Sequence, residues 1–208
     1  MSSVGLLYVG AVLFINGCGL LGLVRGTGTV PMNVFVGLLQ AITPTWLIMS
    51  SGGDPDVIFG ASGLFLFSFT YLYVAWNAIW GTDPTGVGYF SLFVAIAAVA
   101  YALVNIIKYQ DYAFGVIWLL WAVLWALFFL LLGLGREHLT RVTGAVALVE
   151  GWTTAAIPAF LLLIGWWSGK SSGVLAGAVA VVTVLGVAVV MAAAPKGADP
   201  DREGAATG

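Results

Sequence analysis

The sequence predicts an all-α fold, a polytopic membrane helix bundle. Two observations support this prediction. Of the 208 residues, 61% are hydrophobic and only 8% are charged, whereas a soluble domain has roughly 25% charged residues. In addition, seven apolar segments reach the length of about 20 residues with which a helix crosses the hydrocarbon core of a bilayer.

The first predicted span begins at Val4, with no basic stretch before it and no small-residue cleavage site after it. This pattern favours a retained helix over a removable signal peptide. The later spans each follow a short break that is rich in turn-forming residues. In order, the spans are Val4–Leu23, Met32–Met49, Ile58–Trp80, Tyr89–Ile107, Ala113–Leu134, Val142–Trp167 and Gly173–Ala194. The breaks between them are residues 25–28, 50–55, 81–88, 108–111, 136–141 and 168–172.

We therefore expect one transmembrane domain, residues 1–194, followed by a polar, glycine-rich tail, residues 195–208, that is disordered and cytoplasmic. Cytoplasmic loops carry an excess of Lys and Arg. If the N-terminus lies outside, the inner loops and tail hold Arg25, Arg136, Arg141, Lys196 and Arg202, and the outer loops hold Lys108 and Lys170. This distribution predicts an outer N-terminus and a cytoplasmic C-terminus.

Glu150 is the only ionisable side chain well inside a predicted span. A carboxylate at mid-membrane costs a few kcal/mol on insertion scales, so it is expected to face a pore, a cavity or a partner. The alternative is a structural hydrogen bond to a neighbouring helix, made in the protonated form. Thr153, Thr154 and Ile157 follow at helical spacing and continue a mixed polar stripe. Pro158 then removes a backbone donor, which is tolerated where a helix lines water.

Three further spans present one-sided patterns. The fifth carries Trp118, Trp121 and Trp125 on one face, which indicates either ordinary packing or the flat wall of a narrow slot with indole N–H donors. The other two sets are Phe67, Thr70 and Tyr71 in the third span, and Leu6, Val9, Leu13 and Asn16 in the first. Such faces suit a small uncharged polar solute better than an ion, which needs rings of carbonyls or charges.

The remaining features exclude several functions. The chain has no phosphate-binding loop, and no His/Cys/Asp/Glu pattern for a metal or Ser/His/Asp set for catalysis; its one cysteine, Cys18, lies in an apolar run. We therefore expect no enzyme, no cofactor and no nucleic-acid partner. The seventh span lacks the lysine that a retinal Schiff base requires. It is composed of Ala, Val and Gly around Thr183, and its Gly173/Gly177 spacing suggests close packing of helices.

Several strings in the chain resemble the AmiS/UreI family of urea and amide channels, in particular its AmiS-like branch. They occur in the family's order over about residues 4–167 and make the resemblance specific. The strings are LLYVG (6–10), ING (15–17), MNVFVG (32–37), FTYLY (69–73), YFSLFVAI (89–96), residues 118–125, VEG (149–151), IPA (157–159) and LL (161–162).

The resemblance implies a six-helix protomer of three two-helix hairpins, a homo-oligomeric ring that is a hexamer, and a passive pore in each protomer. Residues 173–194 would then form an extra seventh helix. The pore residues that the resemblance implies are Leu6, Val9, Leu13, Asn16, Phe67, Thr70, Tyr71, Trp118, Trp121, Trp125, Glu150 and Thr154.

The implied function is a passive channel for urea and short-chain aliphatic amides, functionally linked to a cytoplasmic amidase or urease. Acid-gated members of the family carry a long, histidine-bearing outer loop between the second and third helices. Here that loop is residues 50–56 without histidine, so acid gating is not expected. The alternative is a proton-coupled secondary transporter of small amides in which Glu150 titrates. A non-transporting membrane subunit would leave the polar stripes unexplained.

Overall fold

The computed structural model describes residues 3–167 and 173–193. These residues form seven long apolar helices, and the described part of the chain contains no strand. The helices are α1 (Ser3–Leu20), α2 (Gly26–Ser50), α3 (Pro55–Trp80), α4 (Thr85–Tyr109), α5 (Tyr112–Gly133), α6 (Glu137–Leu163) and α7 (Gly173–Ala193). The predicted membrane helix bundle is confirmed. The predicted tail, residues 195–208, and the basic residues Lys170, Lys196 and Arg202 lie outside the described residues.

Two predicted spans are longer than the helices that form. The first was expected to reach Leu23 and the sixth Trp167, but α1 ends at Leu20 and α6 at Leu163. In both places a glycine with a left-handed backbone follows, Gly22 with φ of 76° and Gly165 with φ of 74°. An apolar composition continues past these points, so hydropathy alone extends each helix beyond the residue at which the backbone turns.

The starts of α3 and α5 lie at the same end of the bundle and are capped by aspartates. The Asp54 side chain accepts a hydrogen bond from the backbone N–H of Asp56 at 2.8 Å, with Pro55 at the first helical position. The Asp111 side chain accepts one from Phe114 N–H at 3.1 Å. Each carboxylate satisfies a helical N–H group that has no partner within the helix.

Six helices form a closed ring in which each helix contacts the next in sequence and α6 contacts α1. Three pairs pack most extensively: α2 with α3, α4 with α5, and α1 with α6. The helix α7 stands outside this ring against α5 and α6, and has little of its surface buried. The centre of the molecule is therefore enclosed by α1 to α6, and α7 is an addition to a complete ring.

The contact between α1 and α6 is made by glycines seven residues apart on each helix. A Cβ atom on Gly10 would lie 2.6 Å from the Gly151 carbonyl oxygen, and one on Gly17 would lie 2.7 Å from the Gly144 carbonyl oxygen. Since real Cβ atoms do not approach so closely, the two backbones touch. By contrast, Cβ atoms on Gly173 and Gly177 would meet nothing within 4 Å. The prediction of close packing at Gly173/Gly177 is therefore wrong for the described residues. Close packing through glycines occurs between α1 and α6.

The helix α6 changes its geometry in its middle. It is α-helical from Thr140 to Glu150, widens into a π-helical turn over Gly151–Ala156, and returns to α geometry at Ile157. Such wide turns are rare in proteins as a whole, but those that occur are often found at functional sites. This turn places Glu150, Thr153 and Thr154 at a point where the regular hydrogen-bond ladder is interrupted.

Candidate functional site

The centre of the six-helix ring is a single buried cluster dominated by aromatic and aliphatic side chains. Eleven of the twelve predicted pore residues are buried, each no more than 6% exposed, and Asn16 is half-buried. Eight of the eleven belong to one continuous apolar cluster. These eight are Leu6, Val9, Leu13, Phe67, Tyr71, Trp118, Trp121 and Trp125. The structure therefore brings faces from α1, α3 and α5 together at the centre of the ring.

Phe67 lies in the middle of the aromatic part of this cluster. Its ring meets Trp121 and Trp125 edge to face, with centroids 4.8 and 5.1 Å apart, and lies 5.7 Å from the ring of Trp118. Edge-to-face contacts of this kind fix the relative orientation of the rings. The four rings form an apolar cluster between α3 and α5, on the line of the predicted pore, and we refer to this cluster as the aromatic constriction.

Two threonines bind the indole groups of this constriction. Trp121 Nε1–H donates to Thr154 Oγ1 at 2.9 Å, and Trp125 Nε1–H donates to Thr70 Oγ1 at 3.2 Å. Each hydroxyl in turn donates to a carbonyl one turn earlier in its own helix, Thr154 to Glu150 and Thr70 to Leu66. The two indole N–H groups are thus already bonded in this structure, so they orient the tryptophans rather than standing free for a solute.

Two of the predicted pore residues each carry a buried polar atom that has no hydrogen-bond partner among the described residues. These atoms are the Tyr71 hydroxyl and Glu150 Oε2, and both side chains are 1% exposed. Leaving a buried donor or acceptor unsatisfied costs about 1–3 kcal/mol. Buried polar groups are normally paired with protein or water, so these two atoms are available to a polar solute that enters the ring.

Asn16 occupies a different environment from the other predicted pore residues. Its side chain exchanges two hydrogen bonds with the Asn33 side chain of α2, at 2.7 and 3.0 Å. Seven residues along α2, Gln40 Nε2–H donates to the Gly5 carbonyl of α1 at 2.8 Å. The sequence analysis did not single out Asn33 or Gln40. These two polar residues are seven positions apart in an apolar helix and so share one face. This spacing was a signal that the face makes buried polar contacts.

A cavity of about 190 Å³ opens at the end of the bundle where α3 and α5 begin. Its lining is Asp56, Phe59, Gly60, Tyr101, Asn105, Tyr109, Asp111, Phe114 and Trp118. An ion pair between Lys108 and Asp56, with a hydrogen bond from the Tyr109 hydroxyl to Asp56, joins α3 to α4 there. Because Trp118 lines this cavity and contacts Phe67, the cavity lies next to the aromatic constriction, and we refer to it as the vestibule.

Comparison with known proteins places this arrangement among membrane transporters. The model of the AmiS/UreI family transporter matches residues 1–166. The chain is 55% identical to an amidate substrates transporter protein of Mycolicibacterium smegmatis, over 95% of this chain and 90% of that one. It is 49% identical to the transporter protein AmiS2 of Rhodococcus erythropolis, over 96% and 97% of the two chains.

The chain is also similar to the acid-activated urea channel of Helicobacter pylori, at 35% identity over 78% of this chain and 97% of that one. The cryoEM structure of the H. pylori urea channel in its closed state superimposes with a TM-score of 0.73 at 36% sequence identity. A crystal structure of that channel gives a TM-score of 0.70 at 35% identity. Both matches cover 81% of this chain and all of the other chain.

The family match ends at residue 166, so it covers the six-helix ring and stops before α7. Every predicted pore residue falls inside it. The chain is a multi-pass membrane transport protein, not an enzyme, and it belongs to the AmiS/UreI family.

Proposed function

We propose that this protein is a passive channel for urea and short-chain aliphatic amides, with the pore through the centre of the six-helix ring. The observation that supports this most directly is the pair of unpartnered polar atoms, Glu150 Oε2 and Tyr71 OH, buried among the helices that carry the aromatic constriction. The printed names of its relatives, an amidate substrates transporter and a urea channel, point to the same class of solute.

The chemistry of the constriction fits a flat, neutral solute. Urea and acetamide are planar, so they can pass between ring faces and edges such as those of Phe67, Trp121 and Trp125. Desolvating an amide without replacing its hydrogen bonds costs about 2–7 kcal/mol. A carboxyl oxygen on Glu150 and the Tyr71 hydroxyl supply replacement partners, while an ion meets no ring of charges or carbonyls. Asn16 was expected to contribute as well, but its amide is already paired with Asn33.

We also propose that acid does not open this channel. The connection between α2 and α3 is residues 51–54, and the chain's one histidine, His138, lies at the start of α6. That position is at the opposite end of the bundle from the vestibule. With the N-terminus outside, as the Lys and Arg distribution favours, the vestibule faces out and His138 faces the cytoplasm of a bacterial cell.

The proposal also includes assembly as a homohexameric ring in the plasma membrane, surrounded by lipid. Flux follows the solute gradient, and hydrolysis by a cytoplasmic amidase or urease would maintain that gradient. The exposed apolar side chains of α2, including Phe35, Ile42, Trp46 and Met49, are available to lipid or to a neighbouring protomer.

The alternative is a proton-coupled transporter in which Glu150 takes up and releases a proton during each cycle. Glu150 is the only Asp, Glu, Lys, Arg or His among the buried residues of the constriction. No second carboxyl, histidine or lysine side chain in that described core could relay a proton to it. The passive channel needs no such partner, so the structure favours it.

Uptake into proteoliposomes tests the proposal. Purified protein is reconstituted and exposed to urea, acetamide and butyramide at pH 7 and pH 5. We expect flux linear in concentration, faster for urea and acetamide than for butyramide, and changed less than twofold by pH. Flux that saturates at low concentration, or that dissipates an imposed proton gradient, would establish the coupled transporter instead. A tenfold rise in flux at pH 5 would refute the absence of acid gating.

A further inference from the structure

The helix α7 lies beyond the family match and outside the ring, yet it touches α6 at the turn that carries the site. Its buried residues fall on one narrow stripe, Ala176, Val179 and Thr183. Gly186 continues this stripe by one turn, and a Cβ there would lie 2.8 Å from Val149 Cγ1. The stripe therefore faces Val149 and Thr153 of α6, which lie one residue before and three residues after Glu150 in the sequence.

A hydroxyl relay joins α7 to α6 at this point. Thr153 Oγ1 donates to the Val149 carbonyl at 3.0 Å and lies 2.7 Å from Thr183 Oγ1. Either hydroxyl can donate across this contact; when Thr153 donates to the Val149 carbonyl, Thr183 donates to Thr153. Thr183 is 3% exposed, so this bond is shielded from competing water or lipid headgroups.

This outer relay has an inner counterpart on the next residue. Thr154 donates to the Glu150 carbonyl and accepts from Trp121, as described above. The two relays bind the carbonyls of Val149 and Glu150, which precede the π-helical turn Gly151–Ala156. A hydroxyl that binds a carbonyl of its own helix competes with the backbone ladder and stabilises such an irregular turn.

A second contact with α6 holds α7 near its C-terminal end. Arg141 Nη2 donates to the Met191 carbonyl at 2.7 Å. A cation at a helix C-terminus satisfies a carbonyl that has no partner within the helix and interacts favourably with the helix dipole. The stripe of α7 is therefore held in register along α6, with Thr183 opposite the wide turn.

We propose that α7 is a positioning element for the pore, and that Thr183 is a positioning residue that sets the solute selectivity by holding the wide turn of α6. The inference rests on the proposed function, because it names a residue that controls the same constriction from outside the ring. Loss of the Thr183 hydroxyl frees Thr153, loosens the turn, and lets Thr154 and the Trp121 that it binds shift within the constriction.

The test compares Thr183→Val, which keeps the shape and removes the hydroxyl, with Thr183→Ser, which keeps the hydroxyl. Thr45→Val is the matched control, because Thr45 is exposed and its hydroxyl binds only the Ala41 carbonyl of its own helix. Two quantities are measured for reconstituted protein: the acetamide-to-urea permeability ratio, and hydrogen exchange of the backbone amides of residues 151–156.

For Thr183→Val we expect the permeability ratio to change about threefold and the exchange of residues 151–156 to become at least about fivefold faster. Thr183→Ser and Thr45→Val should match the wild type in both. An unchanged ratio or unchanged exchange in assembled Thr183→Val protein would overturn the inference. If this variant does not assemble, Gly186→Ala is measured instead, because its Cβ presses on Val149 without removing a hydrogen bond. A change in both readouts supports the inference, and unchanged readouts overturn it.

The proposed function fails separately. Wild-type vesicles that admit neither urea nor acetamide faster than empty vesicles would refute the channel. The hydrogen-exchange comparison would still report whether Thr183 holds the turn.

Discussion

The helix α6 is held on its two sides by different kinds of contact. Toward α1 it presents Gly144 and Gly151, and the two backbones touch through Gly10 and Gly17. Toward α7 it presents side chains, chiefly the Thr153 hydroxyl, and α7 leaves most of its own surface exposed. Backbone contacts cannot relax around an added atom, whereas side chains can change rotamer. The first interface therefore determines whether the ring forms, and the second is suited to adjusting what the ring does.

The largest effect should come from an added side chain in the backbone interface. We expect Gly151→Val to prevent recovery of assembled protein, or to lower its free energy of unfolding by about 3 kcal/mol, because Cβ would lie 2.7 Å from the Gly10 carbonyl oxygen. Size-exclusion chromatography and thermal denaturation measure this. Gly177→Val, on an open face of α7, is the control and should behave as the wild type; equal losses in both variants would remove the distinction between the two interfaces.

The next effect comes from a substitution on the proposed pore face of α6 that leaves the packing of this helix unchanged. Glu150→Gln keeps the size of the side chain and replaces a carboxyl oxygen that has no partner among the described residues. We expect urea flux to fall about tenfold, equivalent to about 1.4 kcal/mol, while assembly is unchanged. Glu137→Gln, at the exposed first residue of α6, is the control. Wild-type flux in Glu150→Gln would exclude Glu150 from the permeation path.

A smaller effect is expected at the aromatic constriction, on α5, the helix next to α6 in the ring. Trp125→Ala removes one of the rings around Phe67 and should widen the path, because pore diameter limits the size of solute that passes. We expect butyramide permeability relative to urea to rise about fivefold. Trp46→Ala, at a side chain that is 71% exposed, controls for loss of an indole. If the ratio stays constant in assembled Trp125→Ala protein, the constriction lies elsewhere.

The smallest effect tests whether α1 depends on its polar contact with α2 as well as on its glycine contact with α6. Asn16→Leu leaves the Asn33 amide without one partner, although Asn33 still donates to the Thr29 carbonyl at 2.9 Å. We expect a loss of about 1 kcal/mol, which lowers the melting temperature by about 3 °C. The acetamide-to-urea ratio should not change. A changed ratio would show that Asn16 lines the pore, as the family resemblance implies.

Much of the architecture was predictable because its causes are local. Hydropathy placed seven spans, and helical spacing grouped Trp118, Trp121 and Trp125 on one face. Both patterns follow from burial and from the pitch of one helix. Thr70 and Thr154, two of the polar side chains predicted on pore-facing stripes, are buried at the centre. The pattern assigned them to a solute, whereas the structure shows them bonded to indoles.

The features that were not predicted depend on two helices at once. The Gly10–Gly151 contact requires the register of α1 against α6, and the Asn16–Asn33 pair requires that of α1 against α2. A glycine in either sequence looks the same whether or not another backbone faces it, as the open position of Gly177 shows. The wide turn after Glu150 was likewise not predicted, although Pro158, which removes a backbone donor in this span, was a local signal of an irregular helix.

The glycine contact between α1 and α6 has a consequence for biogenesis. Gly10 leaves the ribosome about 140 residues ahead of Gly151. At about 5–20 residues per second, α1 waits in the membrane for roughly 7–28 s before the helix that closes the ring is made. During that interval its glycine face is open to lipid or to another nascent chain. The order of insertion, and not only the final packing, therefore favours small residues on a face that stays unpaired until α6 is made.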